Sequence, residues 1–408
     1  MDKNMIRAES ELEDSIFLRK RVLLSAYTPE RLSHVLHRTE QIKEYIGYMK
    51  DVFRDCVPHN IFVSGHSGTG KTMLTKLVLK DVLEVASEKR ILLHTIYVNC
   101  VQTPSEYNMW RTIIAQMPDV AGVMPSSLGH SATDYRVYFS DLFRYYDGMM
   151  IIVFDELDKS QEPNIINSIV RTISDVTGYT PSVICITNDF KLKSQLEPHV
   201  RSVVGNCEIP IPPYNAEQLI DILRTRAELA FRSGALDDVV IPLCAALSAQ
   251  EHGDARRAID ILRIAGEIAE GNGANKIEEM DVRKAFVKVE NDMVRSHVRQ
   301  LPTQSKIVLA ACICLLKAKR LEPTVTNLYP LYIDMCTAIS LGTVTSRRVK
   351  DLVSELDIFG LISTGIQFKG RYGRQKIITE IASADEALNE LLLDERVKFI
   401  EPIIMKKR

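Results

Sequence analysis

The sequence predicts an α/β protein: a parallel sheet covered by helices, then an all-helical segment, then a C-terminal unit of helices and a β-hairpin. Three observations carry this. Strand-length runs that are apolar on both faces alternate with helical periodicity through the first half, the pattern of strands buried under helices. Residues 216–297 read as helices only. A late pair of strand-like runs flanks the glycine-containing basic stretch KGRYGRQK at 369–376, the signature of a hairpin turn.

The strand candidates, in order, are NIFVSG (60–65), HTIYVNC (94–100), MMIIVFDE (149–156) and SVICITN (182–188). Between them lie helical stretches such as KTMLTKLVLKDVLEVAS (71–87) and NIINSIVRTISDV (164–176). The alternation predicts an α/β domain over 15–210 after an N-terminal tail, 1–14. At IPIPPYN (209–215) three prolines are expected to interrupt any regular element. AEQLIDILRTRAELAF and DARRAIDILRIAGEIAE then give helices of a second domain, 211–297. A further break at RQLPTQ (299–304) starts a third, 298–408. No internal repeat or low-complexity tract is present.

At 408 residues the chain exceeds one compact core. Its 46% apolar and 25% charged residues are ordinary for a globular protein. The eight cysteines are scattered, and the closest pair, Cys312 and Cys314, has neither zinc-ligand nor redox spacing. That predicts a reducing, intracellular setting. The charged N-terminus has no signal-peptide core, and the most apolar run, MMIIVF, is too short to span a bilayer. The expectation is a cytoplasmic protein with no membrane partner. Net charge hides an asymmetry. Residues 298–408 hold 17 lysines and arginines against 12 acids, while the other 297 residues hold 34 against 41. A basic module on an acidic body fits contact with a polyanion, although charge alone also fits an ordinary solvated surface.

The strongest motif is GHSGTGKT, residues Gly65, His66, Ser67, Gly68, Thr69, Gly70, Lys71 and Thr72. It fits G-x-x-x-x-G-K-[ST] and lies between a strand and a helix, as that pattern requires. Glycines let backbone N–H groups converge on phosphate oxygens at a positive helix N-terminus. Lys71 is positioned to reach the β- and γ-phosphates, and Thr72 to ligate Mg²⁺. Asp155 and Glu156 end a buried strand. Asp155 is the partner for the Mg²⁺ shell, and Glu156 the group to orient or deprotonate an attacking water. Asn188 closes the next strand, where ligands of such sheets bind, and can hold the water or γ-phosphate. Arg256 and Arg257 stand at a helix start capped by Asp254, from which an arginine can report nucleotide state through the angle of a lid.

With these residues in place the chain resembles an AAA+ ATPase: Walker A at 65–72, Walker B at 151–156, sensor one at Asn188 and sensor two at Arg256. More narrowly it is similar to the archaeal replication initiators, relatives of the largest origin-recognition subunit and of the cell-division-cycle helicase loader. SIFLRKRVLLSAYTPERLSHVLHRTEQI (15–42) matches that family's N-terminal block. The resemblance places Tyr27, Pro29, His37 and Arg38 against the adenine base. In the lid stretch PPYNAEQLIDILRTRAELAF it adds Tyr214 and Arg226 as nucleotide contacts. It implies ATP/ADP and Mg²⁺ as cofactors. The family's stretch L-x-P-R-V-x-S carries an arginine after the proline, which here is His199, with Arg201 two residues later. This departure leaves open whether ATP is turned over.

The C-terminal segment reads accordingly. VTSRRVKDLVSELDIFGLI (344–362) has apolar Val349, Leu352, Val353 and Leu356 at helical spacing. Ser346 is the expected N-cap, and Arg347, Arg348 and Lys350 crowd the first turns. LISTGIQFKGRYGRQKIITE then gives two strands. Helix followed by hairpin is a winged helix, with Lys369, Arg371, Arg374 and Lys376 on DNA phosphates and Arg371 or Tyr372 in the minor groove. MPSSLGHSATDYR (124–136) is the counterpart of the family's second DNA-inserting motif but carries little positive charge. The resemblance thus implies an AAA+ P-loop NTPase sheet, an all-helical lid and a C-terminal winged-helix domain. It also implies an ATP-dependent, nucleoid-associated initiator that binds duplex origin DNA and helps recruit an MCM-type helicase, with or without a paralogous initiator. Two alternatives stand beside it: a DNA-binding regulator with a structural nucleotide, and a clamp-loader-like ATPase.

Overall fold

The computed structural model describes residues 15–54, 56–117, 131–143, 148–178, 180–205, 207–250, 253–318, 322–368, 374–400 and 402. The chain forms two compact units, 1–282 and 283–408.

The first unit is built on a five-stranded parallel sheet. Its strands are β1 (Ile61–Ser64), β2 (Leu93–Asn99), β3 (Met149–Asp155), β4 (Ser182–Thr187) and β5 (Cys207–Pro210), in the order β2-β3-β4-β1-β5. The four strands expected from the sequence are present. The fifth is a correction, because the proline-rich stretch at 209–215 does not interrupt regular structure from its start. Cys207–Pro210 pairs with Ile61–Ser64 in register, and Ile209 is fully buried. Pro210 is tolerated because β5 is an edge strand and ends there.

Alternate residues of each strand feed opposite layers. On one face Ile152, Phe154 and Val183 pack under Trp110 of α3 (Glu106–Ala115), Phe139 of α4 (Ala132–Phe143) and Ile169 of α5 (Ile165–Thr177). On the other, Ile61, Val63 and Val153 meet Tyr45 of α1 (Thr39–Met49) with Leu74 and Val78 of α2 (Lys71–Glu88). Short helices α6 (Leu192–Gln195) and α7 (Pro198–Val204) follow β4. The lid comprises α8 (Ala216–Ala230), α9 (Val240–Ala249) and α10 (Ala255–Gly271). Asn215 starts α8 with a capping box to Gln218, and Asp254 caps α10 by accepting from the N–H groups of Arg256 and Arg257. Each such cap contributes about 1 kcal/mol.

Helix α11 (Glu279–Gln300) leads into the second unit: α12 (Thr303–Ala318), α13 (Val325–Ala338), α14 (Ser346–Ile358), β6 (Ile362–Phe368), β7 (Arg374–Ile381) and α15 (Ala384–Leu393). β6 and β7 form an antiparallel hairpin. Val349, Leu352, Val353 and Leu356 are buried, as the spacing predicts. The cap of α14 is Thr345, whose hydroxyl accepts from Arg348 N; Ser346 is the first helical residue instead. Two adjacent hydroxyl residues compete here, and the extended φ/ψ of Thr345 decides which one caps.

Candidate nucleotide-binding site

The loop 65–70 turns from β1 into α2 using left-handed conformations at Gly68 (φ +71°) and Gly70 (φ +92°), which glycine adopts without steric cost. Lys71 is buried and donates to the carbonyls of Gly65 (2.8 Å) and His66 (2.7 Å) and to Asn188 Oδ1 (2.8 Å). Burial pulls its ammonium down to about 8, against the upward pull of Asp155. Thr72 Oγ1 donates to the Asp155 carboxylate at 2.9 Å. Glu156 follows in a left-handed conformation, φ +55°, strained for a non-glycine residue and of a kind that clusters at functional sites. Asn188 is held by its backbone N–H on Asp158 Oδ1, 2.9 Å, and Thr187 Oγ1 reaches the same oxygen at 3.1 Å. Lys71, Thr72, Asp155, Glu156, Asn188 and Arg256 line one small cleft. The fold therefore brings together Lys71, the two acids, and the residues expected from the sequence to act as sensors, Asn188 and Arg256. The Thr72 hydroxyl and the Asp155 carboxylate are hard oxygen ligands, which suit a hard divalent cation held by one or two carboxylates and by phosphates.

A second cavity of about 220 Å³ adjoins this cleft, lined by Tyr27, Pro29, Tyr214 and Arg226 together with Gly68, Gly70 and Ile222. Arg226 lies over the Tyr27 ring, 4.4 Å from its centroid, and donates to Val22 O and Tyr27 O. His37 and Arg38 do not themselves line this cavity, although Arg38 stacks on Tyr214, which does. His37 pairs with Asp221 of α8 (3.0 Å), and Arg38 donates to Thr69 O (3.2 Å) and Pro212 O (2.8 Å) while stacking on Tyr214 at 3.8 Å. These two residues tie the N-terminal segment to the phosphate loop and the lid. Gly253, just ahead of α10, packs closely against the linker at Tyr214, whose N–H donates to Gly253 O at 3.4 Å. A Cβ on Gly253 (φ +63°) would lie 2.1 Å from Tyr214 O. Gly253→Ala is expected to destabilise the protein by about 1–3 kcal/mol in urea unfolding. Unchanged stability would show that Tyr214 is free to shift.

Tyr97 and Asp158 contact Asp155 and Asn188 directly, and the sequence does not single them out. The Tyr97 hydroxyl donates to Asp155 Oδ2. Asp158 had a faint signal as the last acid of DELD. His199 pairs with Glu197 Oε2 (3.2 Å), and Arg201 donates to the carbonyls of Ser194 and Leu196, both 3.0 Å.

Comparisons with known proteins follow the same division. Residues 61–210 match the model of the ATPase family associated with various cellular activities (AAA), 220–287 the Cdc6 AAA+ ATPase-type lid domain, and 296–390 the CDC6 C terminal winged helix domain. Over 394 residues the chain is 38% identical to the ORC1-type DNA replication protein of Pyrococcus furiosus, covering 96% of this chain and 93% of that one. The chain belongs to the ORC1-type DNA replication protein family. The ORC1-type protein 1 of Methanosarcina acetivorans is 38% identical over 388 residues, 94% of this chain and 92% of the relative. Among solved structures, the Aeropyrum pernix ORC1 protein in complex with DNA matches with a TM-score of 0.82 at 34% identity, over 96% of this chain and 100% of that one. An AAA+ ATPase fold of this family is a nucleotide-binding fold.

In an ORC1-type protein the C-terminal module is a winged helix, and its basic residues differ in availability. Arg347, Arg348 and Lys350 are exposed on α14. Arg348 pairs with Glu355 (2.8 Å), whereas Arg347 and Lys350 have no acidic partner among the described residues. Lys376 donates to Ser354 Oγ (3.1 Å) and pairs with Asp357 (3.3 Å), tying the hairpin to α14. Lys369, Arg371, Tyr372, the side chain of Arg374 and residues 124–130 lie outside the described residues. No helix among the described residues is long and apolar enough to cross a membrane.

Proposed function

We propose that this chain is an ATP-controlled replication initiator that binds duplex DNA at an origin and helps recruit an MCM-type helicase. The observation that carries the reading is the relationship to an ORC1-type DNA replication protein across 96% of the chain, sheet, lid and winged helix alike. The Aeropyrum relative, in complex with DNA, supports DNA as a ligand of this chain.

Within the ATPase unit, the glycine loop cradles the phosphates, and Lys71 leaves its carbonyl partners to donate to the β- and γ-oxygens. Thr72 and Asp155 would hold the Mg²⁺ that accompanies the nucleotide, and the ion would supply charge screening for the phosphates. Asn188 and Glu156 orient a water toward the γ-phosphate. Arg256 reaches the same phosphate from α10, so the presence of that phosphate sets the angle of the lid. Tyr27, Pro29, Tyr214 and Arg226 surround the base. Hydrolysis is slow in this reading. The position of the family's arginine holds His199, and the Arg201 guanidinium is engaged with carbonyls of its own chain. An arginine finger contributes about 10³–10⁵ in rate where present. The nucleotide then acts as a long-lived switch, and a paralogous initiator is one source of the missing finger.

The test is a selection of sheared source-genome DNA with purified protein and ATP at physiological salt in excess competitor. Enrichment of one or a few intergenic loci is expected. Uniform retention across the genome would replace the initiator reading with that of a general DNA-binding ATPase.

A further inference from the structure

Tyr97 sits within β2, the edge strand of the sheet, and looks from the sequence like any strand aromatic. Its surroundings are specific. The register pairs Tyr97 with Val153 and Asn99 with Asp155. Tyr97 and Asp155 therefore project from one face of neighbouring strands as diagonal neighbours, within reach of a long side chain. The phenol hydroxyl donates to Asp155 Oδ2, the oxygen to which Thr72 Oγ1 also donates at 2.9 Å. Asp155 Oδ1 in turn accepts from Glu156 N at 3.0 Å.

The phenol is itself held in place. On the open side of β2 no strand among the described residues pairs with Tyr97; the Gln116 side-chain amide takes that role. It accepts from Tyr97 N (2.9 Å) and donates to Tyr97 O (2.8 Å). The Lys76 ammonium lies 4.5 Å from the ring centroid. Burial first, and then the bond to Asp155, push the phenol above its ordinary value, so it remains a donor throughout the neutral range.

We propose that Tyr97 is a positioning residue that aims the Asp155 carboxylate at the metal ion accompanying the nucleotide, with Gln116 fixing Tyr97 in turn. This rests on the reading of the loop as a Mg²⁺–nucleotide site. A carboxylate held by two hydroxyls and a backbone N–H has one orientation available, so the reorganisation needed to meet the cation is small. Partners that orient a metal-binding group typically contribute about 10–100-fold to metal affinity when removed.

The test measures ADP binding to the full chain by calorimetry, in EDTA and across a Mg²⁺ titration. Binding of Mn²⁺ in the presence of ADP is followed separately by electron paramagnetic resonance. Tyr97→Phe keeps the ring and removes the hydroxyl. It is expected to raise the Mg²⁺ concentration for half-maximal enhancement about 10–100-fold, and to weaken Mn²⁺ binding in parallel. ADP affinity in EDTA and thermal stability should stay at wild-type values. Gln116→Leu should shift the metal dependence in the same direction and add little to Tyr97→Phe when the two are combined; it also serves should the phenylalanine variant fail to fold. A metal-dependent wild type with unchanged variants overturns the role of Tyr97 alone. A wild type whose ADP binding ignores Mg²⁺ overturns the metal-site reading and this inference together.

Discussion

Lys71→Ala is expected to lower ADP and ATP affinity by about 2–5 kcal/mol, the usual effect of removing one partner of a buried, hydrogen-bonded charge pair. That is a loss of roughly 30-fold to several thousand-fold, read by calorimetry. The native ammonium is buried and held by Gly65 O, His66 O and Asn188 Oδ1, so it is already placed where a phosphate oxygen replaces a neutral carbonyl. Folding should survive, because burial is what drives the Lys71 pKa down and the variant no longer buries a charge. The same lysine predicts a pH dependence. In the free protein its pKa is lowered to about 8. A bound phosphate favours the charged form and returns it toward the ordinary value of about 10.4. Binding therefore takes up a proton between those two values. Affinity should be flat below about pH 7 and fall roughly tenfold between about pH 7 and pH 9. An affinity unchanged in Lys71→Ala, or flat to about pH 9 in the wild type, would remove Lys71 from the phosphate site.

How far such a site is legible beforehand depends on where its information lies along the chain. Walker A is local: eight consecutive residues specify a loop, its glycine conformations and its lysine. β1, β3 and β4 are buried on both faces, so they read as unbroken apolar runs. β5 escapes the same reading because it is four residues long and ends in a proline, and only pairing with β1 makes it a strand. Tyr97 escapes for a different reason. Its partner is 58 residues away, and the contact exists only because β2 and β3 pair in one register. A shift by one residue would turn Tyr97 to the opposite face. Arg38 and His37 lie between these cases. Resemblance draws attention to them as base contacts, while the fold directs their side chains to Thr69 O, Pro212 O and Asp221. Those partners belong to the phosphate loop, the linker and the lid, elements that sequence spacing cannot bring together.

Replacing Arg347 and Lys350 together by alanine is expected to weaken duplex DNA binding at every sequence tested and to lower the salt slope by about two units. Both side chains project from the first turns of α14, where the helix N-terminus itself favours phosphate, and neither has an acidic partner among the described residues. Arg348→Ala should change the slope less, because its guanidinium is already paired with Glu355. Lys376→Ala should act chiefly on the module's stability. Its ammonium joins β7 to Ser354 and Asp357 of α14. Burial raises the Asp357 carboxyl, but its bonds to Thr364 and Lys376 outweigh this and hold it below its ordinary value. The wing pair, Arg371→Ala with Arg374→Ala, is expected to lower the slope by up to about two units as well. Slopes measured from about 50 to 200 mM salt separate the two surfaces. If the α14 pair leaves the slope unchanged while the wing pair reduces it, the phosphates are held by the hairpin and α14 does not contact the backbone. If neither pair changes it, the winged helix is not the DNA-binding surface. Loss of slope from both pairs, additive across the four residues, is the result expected of a helix and wing on the same duplex.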